Sequence, residues 1–143
     1  MRILIVNPFG IGDVLFSTPL VRAVRRAFPE SYIAYLCNAR TEYILRSNPN
    51  LNELFVYERD EIVRVWRTSK WQGLLLVRKL LGRVRHGRFD LVIDLSLGER
   101  YVGILCVLGV RRRIGFDYRG RGRFLTESFL IDGYQQDHVV EYY

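Results

Sequence analysis

Arg2-Ile3-Leu4-Ile5-Val6-Asn7-Pro8-Phe9-Gly10-Ile11-Gly12-Asp13 opens the chain and decides how the rest is read. Residues 2–7 are a short aliphatic run with no polar alternation, the pattern of a strand covered on both faces. Pro8 stops it, because proline brings no N–H to a strand ladder. Two glycines follow, and then residues 13–28 place Leu20, Val24, Ala27 and Phe28 on one helical face and Arg22, Arg25 and Arg26 on the other. Pro19 predicts a kink in that helix or a separate short first helix. Pro29 ends it. Strand, glycine-bearing turn and helix in this order are the first half of a βαβ unit.

The alternation continues. Further strands are expected at 32–37, 53–57, 90–96 and 113–118, with helices at 40–46, 71–84 and 101–108 and the opening of another at 138–143. Short connections between them predict a Rossmann-like α/β fold, a parallel sheet with helices on both faces and right-handed crossovers. At 143 residues one domain suffices to close a core. In such sheets ligands bind beyond the carboxyl ends of the strands, so the residues after each strand carry the functional reading.

Composition narrows the classes. The chain is 49% hydrophobic and 26% charged, too apolar for a disordered tail and too mixed for a membrane bundle. The longest apolar run, residues 102–110, is about half of the roughly 20 residues a bilayer span needs. The apolar stretch before Pro8 is too short for a signal sequence, so a cytoplasmic protein is expected. Cys37 and Cys106 lie far apart in apolar runs and read as small buried hydrophobes in a reducing compartment. The net charge is +7, and twenty of the 22 basic residues are arginines. Such a surface points to an anionic partner.

Gly10-Ile11-Gly12-Asp13 joins the first strand to the first helix. The glycines allow close backbone approach and positive φ, and the helix start offers unpaired N–H groups. The spacing lacks the third glycine of a dinucleotide fingerprint and the Lys-Ser/Thr of a phosphate loop. Asp13 has two readings. A carboxylate at the mouth of the crevice can take a proton from a substrate hydroxyl. Aspartate is also a preferred N-cap, and from the pattern alone capping is the commoner outcome. Phe16 stands where a capping box would need Glu or Gln.

Beyond these residues the chain resembles a family. Arg2-Ile-Leu-Ile-Val-Asn7, Gly12-Asp13-Val-Leu-Phe-Ser-Thr-Pro19, Arg26-Ala-Phe-Pro29, Asp90-Leu-Val-Ile-Asp94, Arg111-Arg-Arg-Ile-Gly115 and His138-Val-Val-Glu141 are similar, in order and spacing, to the N-terminal half of glycosyltransferase family 9. These are the ADP-heptose:lipopolysaccharide heptosyltransferases. The resemblance implies the N-terminal half of a two-domain GT-B enzyme that inverts the anomeric centre without a catalytic metal or other cofactor. The partners it implies are ADP-heptose, held mainly by the other half, and a phosphorylated Kdo-lipid A acceptor of the lipopolysaccharide core. It makes Asp13 the base for the acceptor hydroxyl. The family continues for about another domain beyond the position of Tyr143. The expectation is therefore that residues 1–143 form the acceptor-binding domain, lack the nucleotide-sugar half, and do not turn over alone.

Arginines cluster twice. Arg111, Arg112, Arg113, Arg119, Arg121 and Arg123 fall around the fifth strand, and Arg59, Arg64, Arg67 and Lys70 follow the third, with Trp66 and Trp71 among them. The resemblance makes Arg64 and Arg67 counterparts of basic residues that reach the acid groups of the acceptor. With Gly10, Gly12, Arg113 and Arg119 they form the expected substrate-binding set. Acceptor capture and peripheral adhesion to the anionic inner face of the inner membrane are the favoured uses of this charge. A non-catalytic basic module for nucleic acid or anionic lipid is the alternative. Nucleic acid is not expected, because the aromatics mostly occupy periodic apolar positions. His86 reads as a solvated turn residue, and His138 as capping or packing. Two histidines without acidic or cysteine neighbours make no metal site. Asp94 at the fourth strand's end reads as ordering a loop or contacting a sugar hydroxyl, with the structural role favoured, Glu99 and Arg100 share both readings, and Asp117 reads as a balance to nearby arginines.

Overall fold

The computed structural model describes residues 1–57, 64–65, 67–97 and 99–131. The helix expected at 138–143, with His138, and the residues Arg59 and Trp66 lie outside them. Six strands, β1 (Arg2–Val6), β2 (Tyr32–Cys37), β3 (Glu53–Val56), β4 (Leu91–Asp94), β5 (Arg112–Tyr118) and β6 (Glu127–Ile131), form one sheet in the order β3-β2-β1-β4-β5-β6. Every pairing is parallel. The order reverses between β1 and β4, where Val6 lies beside Asp94. This is the switch point at which such sheets open a crevice.

Both faces of the sheet are covered, which is why the central strands read as continuous apolar runs. Ile3, Ile5, Ile33, Tyr35 and Cys37 face one layer, with Val14, Val21, Val24 and Leu45 from the helices. Leu4, Val6, Ala34, Leu36, Phe55 and Val92 face the other, with Val84 and Leu105. The first layer is α1 (Ile11–Phe16), α2 (Thr18–Ala27), a 3₁₀ turn at Ala39–Thr41 and α3 (Glu42–Leu45). The second is α4 (Lys70–His86) and α5 (Glu99–Val107).

The predicted interruption near Pro19 is present. α1 and α2 meet at Ser17, and Pro19 sits in the first turn of α2, where its missing N–H breaks no bond. The Ser17 hydroxyl is buried, donates to Val14 O (2.8 Å) and shares a 2.6 Å hydrogen bond with the Tyr35 hydroxyl. Burial pushes the Tyr35 phenol well above its ordinary value, with the Ser17 bond pulling the other way.

β6 is an addition to the five expected strands. It follows β5 after a return of eight residues with no helix, shorter than the usual crossover between parallel strands. Phe124, on that return, packs against Gly103 of α5, and Thr126 N donates to Arg113 O. β6 is an edge strand with Phe129 and Leu130 exposed, so no buried face marks it in the sequence.

Several arginines hold the fold rather than decorate it. Arg25 donates to Pro29 O, Ser31 O, Asn50 O and Asn52 Oδ1, tying the end of α2 to the segment before β3. Arg2 bonds Gly87 O and lies over the Tyr32 ring at 3.9 Å. Arg83 pairs with Glu53 at 2.9 Å, and Arg112 with Glu127 at 3.0 Å. The excess charge open to a partner is thus smaller than the arginine count implies.

Candidate functional site at the carboxyl edge of the sheet

The turn after β1 is fixed by two asparagines. Asn7, fully buried, accepts from Phe9 N and donates to Asp13 O, both at 3.2 Å. Asn38, just past β2, donates to Pro8 O (3.2 Å) and Phe9 O (2.6 Å). Its Oδ1 caps the 3₁₀ turn through Thr41 N at 3.1 Å. An amide side chain bridges backbone donors and acceptors without a charge to bury, which suits a turn next to the core. The functional reading of the sequence missed both. Asparagine's turn preference is a signal at Asn7, but the pairing of Asn38 with Pro8 spans thirty residues and is invisible locally.

Gly10 is the N-cap of α1, with extended φ of −77° and no side-chain capping bond. Two expectations change here. Asp13 is not the cap but lies one turn further in, in the first turn of the helix. Neither Gly10 nor Gly12 adopts positive φ; among the described residues the glycines that do are Gly109 and Gly120. Both turn glycines are exposed. A Cβ on Gly10 would stand 3.8 Å from Asp13 Oδ2, so the absent side chain there keeps that approach to the carboxylate open, whereas a Cβ on Gly12 would meet the Phe16 ring at 4.0 Å. Asp13 is half-buried, and among the described residues no donor is bonded to its carboxylate. It is an acceptor at the mouth of the switch point, with its polar end available.

Asp94 closes the other side of the switch point. It is 3% exposed, and it receives Ser96 N at 3.2 Å and Ser96 Oγ at 3.0 Å. Burial pushes its carboxyl up to about 7, with the two Ser96 bonds pulling down. Gly115 on β5 sits so close that a Cβ there would meet Asp94 O at 2.6 Å. The loop-ordering role expected of Asp94 matches this geometry. Side chains of Glu99 and Arg100 are outside the described set.

The arginine cluster around β5 divides between the two edges of the sheet. Arg119 follows β5 at the carboxyl edge, exposed, with φ of 54° and its guanidinium 4.9 Å over the Tyr118 ring. Arg113 stands at the opposite, amino edge, near the start of β5. Its guanidinium is held by Val110 O, Phe124 O (2.6 Å) and Arg111 O (3.4 Å). The expectation that Arg113 faces the same ligand as Asp13 is therefore not met by the geometry, because strand direction separates them. A hollow of about 810 Å³ opens at that amino edge, lined by residues including Arg85, Arg88, Arg111 and Asp90. Asp117 accepts from Gly122 N (2.9 Å), shaping the loop rather than offsetting an arginine. Arg64 and Arg67 are exposed, and bonds from Thr68 Oγ1 to Arg64 O and from Ser69 N to Val65 O carry that segment into α4. His86 Nδ1 is engaged with Gly82 O at 2.8 Å. Burial pushes the Cys37 thiol up to about 11, so it is an inert core group. Among the described residues no three His, Cys, Asp or Glu side chains are grouped to hold a metal, and no helix is long and apolar enough to cross a membrane.

No family model matches the chain. It is 26% identical over 132 residues to lipopolysaccharide heptosyltransferase 3 of Escherichia coli, covering 91% of this chain and 37% of that protein. Among solved structures it resembles the glycosyl transferase family 9 protein of Veillonella parvula, with a TM-score of 0.76 at 23% identity over 98% of this chain and 38% of that one. It also resembles E. coli heptosyltransferase WaaC with ADP-2-deoxy-2-fluoro heptose, with a TM-score of 0.81 at 18% identity over 99% of this chain and 45% of that one. The chain thus spans less than half the length of these proteins and is similar to their N-terminal part. The parallel α/β architecture is shared with the solved structures.

Proposed function

We propose that this chain is the acceptor-binding, Rossmann-like half of an inverting GT-B glycosyltransferase of lipopolysaccharide core assembly, with heptose passing from ADP-heptose to a phosphorylated Kdo-lipid A acceptor. The observation that carries the reading is the Asp13 carboxylate, left without a bonded donor at the switch point behind two exposed glycines. The similarity to lipopolysaccharide heptosyltransferase 3 supports the substrate class.

In the proposed reaction Asp13 takes the proton of an acceptor hydroxyl as that oxygen forms its bond to the anomeric carbon. The bond from that carbon to ADP breaks on the opposite face, and ADP leaves with the electron pair. A second, nucleotide-sugar-binding half would carry the diphosphate. Gly10 and Gly12 leave room for the acceptor alcohol. Arg64, Arg67 and Arg119 meet its phosphate and carboxylate groups, for which guanidinium forks are suited. Arg113 is left out because backbone carbonyls hold it at the far edge. An acceptor of this kind lies in a membrane, so the working place would be the cytoplasmic face of the inner membrane.

The test is a transfer assay with ADP-heptose and defined Kdo-lipid A acceptors, on a polypeptide joining this sequence to a nucleotide-sugar-binding half. Transfer that is lost in Asp13→Asn supports the reading. Equal turnover by Asp13→Asn removes Asp13 from the chemistry, and preference for oligonucleotides over the lipid core in binding by the 143-residue chain favours a basic binding module instead.

A further inference from the structure

α4 carries more exposed apolar surface than a helix covering a sheet requires. Gly73 and Val84 are buried, and Val77, Leu80 and Leu81 line an apolar hollow beside the sheet layer. On the other side Trp71 is 78% exposed and Leu75 63% exposed. At four residues apart these two share one helical face, and Arg78 and Lys79 continue it one turn on. Leu74, 42% exposed, borders the pair. Single exposed apolar residues are ordinary, but a tryptophan and a leucine stacked on one outward face and rimmed by cations are an interfacial pattern.

The charge around this face has one sign. From residue 62 to residue 89 the chain has no Asp or Glu and eight Lys or Arg. The two lysines of the whole protein, Lys70 and Lys79, are both on α4. Arg83 is engaged with Glu53, but no ion pair is formed by Arg64, Arg67, Lys70, Arg78 or Lys79 among the described residues. Lysines on such a face can lay their methylene stems along apolar surface while the ammonium reaches outward. The crossover from β3 to β4 fixes the direction: α4 starts at the carboxyl edge of the sheet, where Asp13 and Arg119 also stand.

We propose that the outward face of α4, centred on Trp71 and Leu75, rests on an anionic lipid bilayer, with Lys70, Arg78 and Lys79 over the headgroups. The face is apolar where it would enter the acyl boundary and cationic where it would meet phosphates, which is the complement of such a surface. Docked this way, the start of α4 turns the carboxyl edge of the sheet toward the lipid, and a bilayer-anchored acceptor would extend past that edge to reach Asp13 in the opposite helix layer. That last step rests on the proposed lipid-borne acceptor; the docking itself does not.

Flotation of the 143-residue chain with vesicles tests it. The expected result is binding to phosphatidylcholine vesicles containing 30 mol% phosphatidylglycerol, with little binding to phosphatidylcholine alone. Arg78→Gln with Lys79→Gln should weaken partition roughly thirtyfold, and Trp71→Ser with Leu75→Ser at least tenfold. Both pairs are exposed, and circular dichroism checks that the helix is kept. No flotation of the wild-type chain, or flotation that both double variants leave unchanged, overturns the proposal. So does a dimer in which Trp71 is shielded from aqueous quencher, because a second copy then covers the face. Binding of soluble core oligosaccharide to the 143-residue chain, measured in parallel, reports on the acceptor site independently. Its retention alongside failed flotation would overturn only the membrane docking.

Discussion

Asp94→Asn should abolish the loss of folding stability that the buried carboxyl causes as the pH rises from 5 to about 7. The carboxyl is buried at the switch point and holds its proton to about 7, whereas in the unfolded chain it ionises near the ordinary 3.8. Over that window the unfolded state releases a proton that the folded state keeps, so each pH unit lowers folding stability by about 1.4 kcal/mol. Across the whole window the loss is roughly 4 kcal/mol, complete once the pH exceeds the folded value. Asparagine carries no charge to bury. Its single carbonyl keeps one of the two Ser96 bonds, and the lost bond costs about 1 kcal/mol. The variant should then be about 3 kcal/mol more stable than wild type at pH 8, and slightly less stable near pH 4. The Glu53 carboxyl works the other way. Burial alone would raise it, but hydrogen bonds from Tyr32 and Arg83 hold it below its ordinary 4.5, so its contribution is lost only as the pH falls below that value. Measurements above pH 5 therefore isolate Asp94. Urea unfolding of both chains at pH 5, 6, 7 and 8 gives the comparison, with an expected change in the difference of about 3 kcal/mol. A difference that stays flat across that range would refute the buried-acid account.

Asp13→Ala in a polypeptide with both halves is expected to lower kcat by 10² to 10⁴ while leaving acceptor affinity nearly unchanged, read by steady-state kinetics. In the 143-residue chain the same substitution should change thermal stability by no more than about 1 kcal/mol, since the half-buried carboxylate accepts no hydrogen bond among the described residues and acts on the helix start by charge alone. Gly115→Ala places a methyl 2.6 Å from Asp94 O and should destabilise the chain by about 1–3 kcal/mol in urea unfolding. Tyr35→Phe leaves the buried Ser17 hydroxyl with its Val14 bond and should cost about 1 kcal/mol. Ser17→Ala removes both the Val14 and the Tyr35 bond, leaves the Tyr35 hydroxyl with Asn7, and should cost about 1–2 kcal/mol; chemical unfolding of both variants is the check.

Much of the fold is legible in neighbouring residues. The aliphatic run before Pro8 and the arginine and leucine faces of residues 13–28 are periodic signals that report local backbone geometry. Pro19 marks the break between α1 and α2 for the same reason, since a missing N–H and a fixed φ act on the adjacent turn. β6 was not legible, because an edge strand with exposed Phe129 and Leu130 has no buried face to impose a period. The candidate site was legible in part. Glycines followed by Asp13 after the first strand mark it, and a parallel sheet puts that turn at the carboxyl edge.

What the sequence by itself determined is the order of the first five strands with the helices between them and the residue types waiting at those strand ends, because these depend on contacts within a few positions along the chain. Only the tertiary structure decided that Asn38 holds the first turn, that Asp94 is sealed in while the Asp13 carboxylate stays open, and that Arg113 and Arg119 stand at opposite edges. Each of these depends on which segments pack together across the sheet, and water exclusion and strand direction are properties of that packing rather than of any single segment.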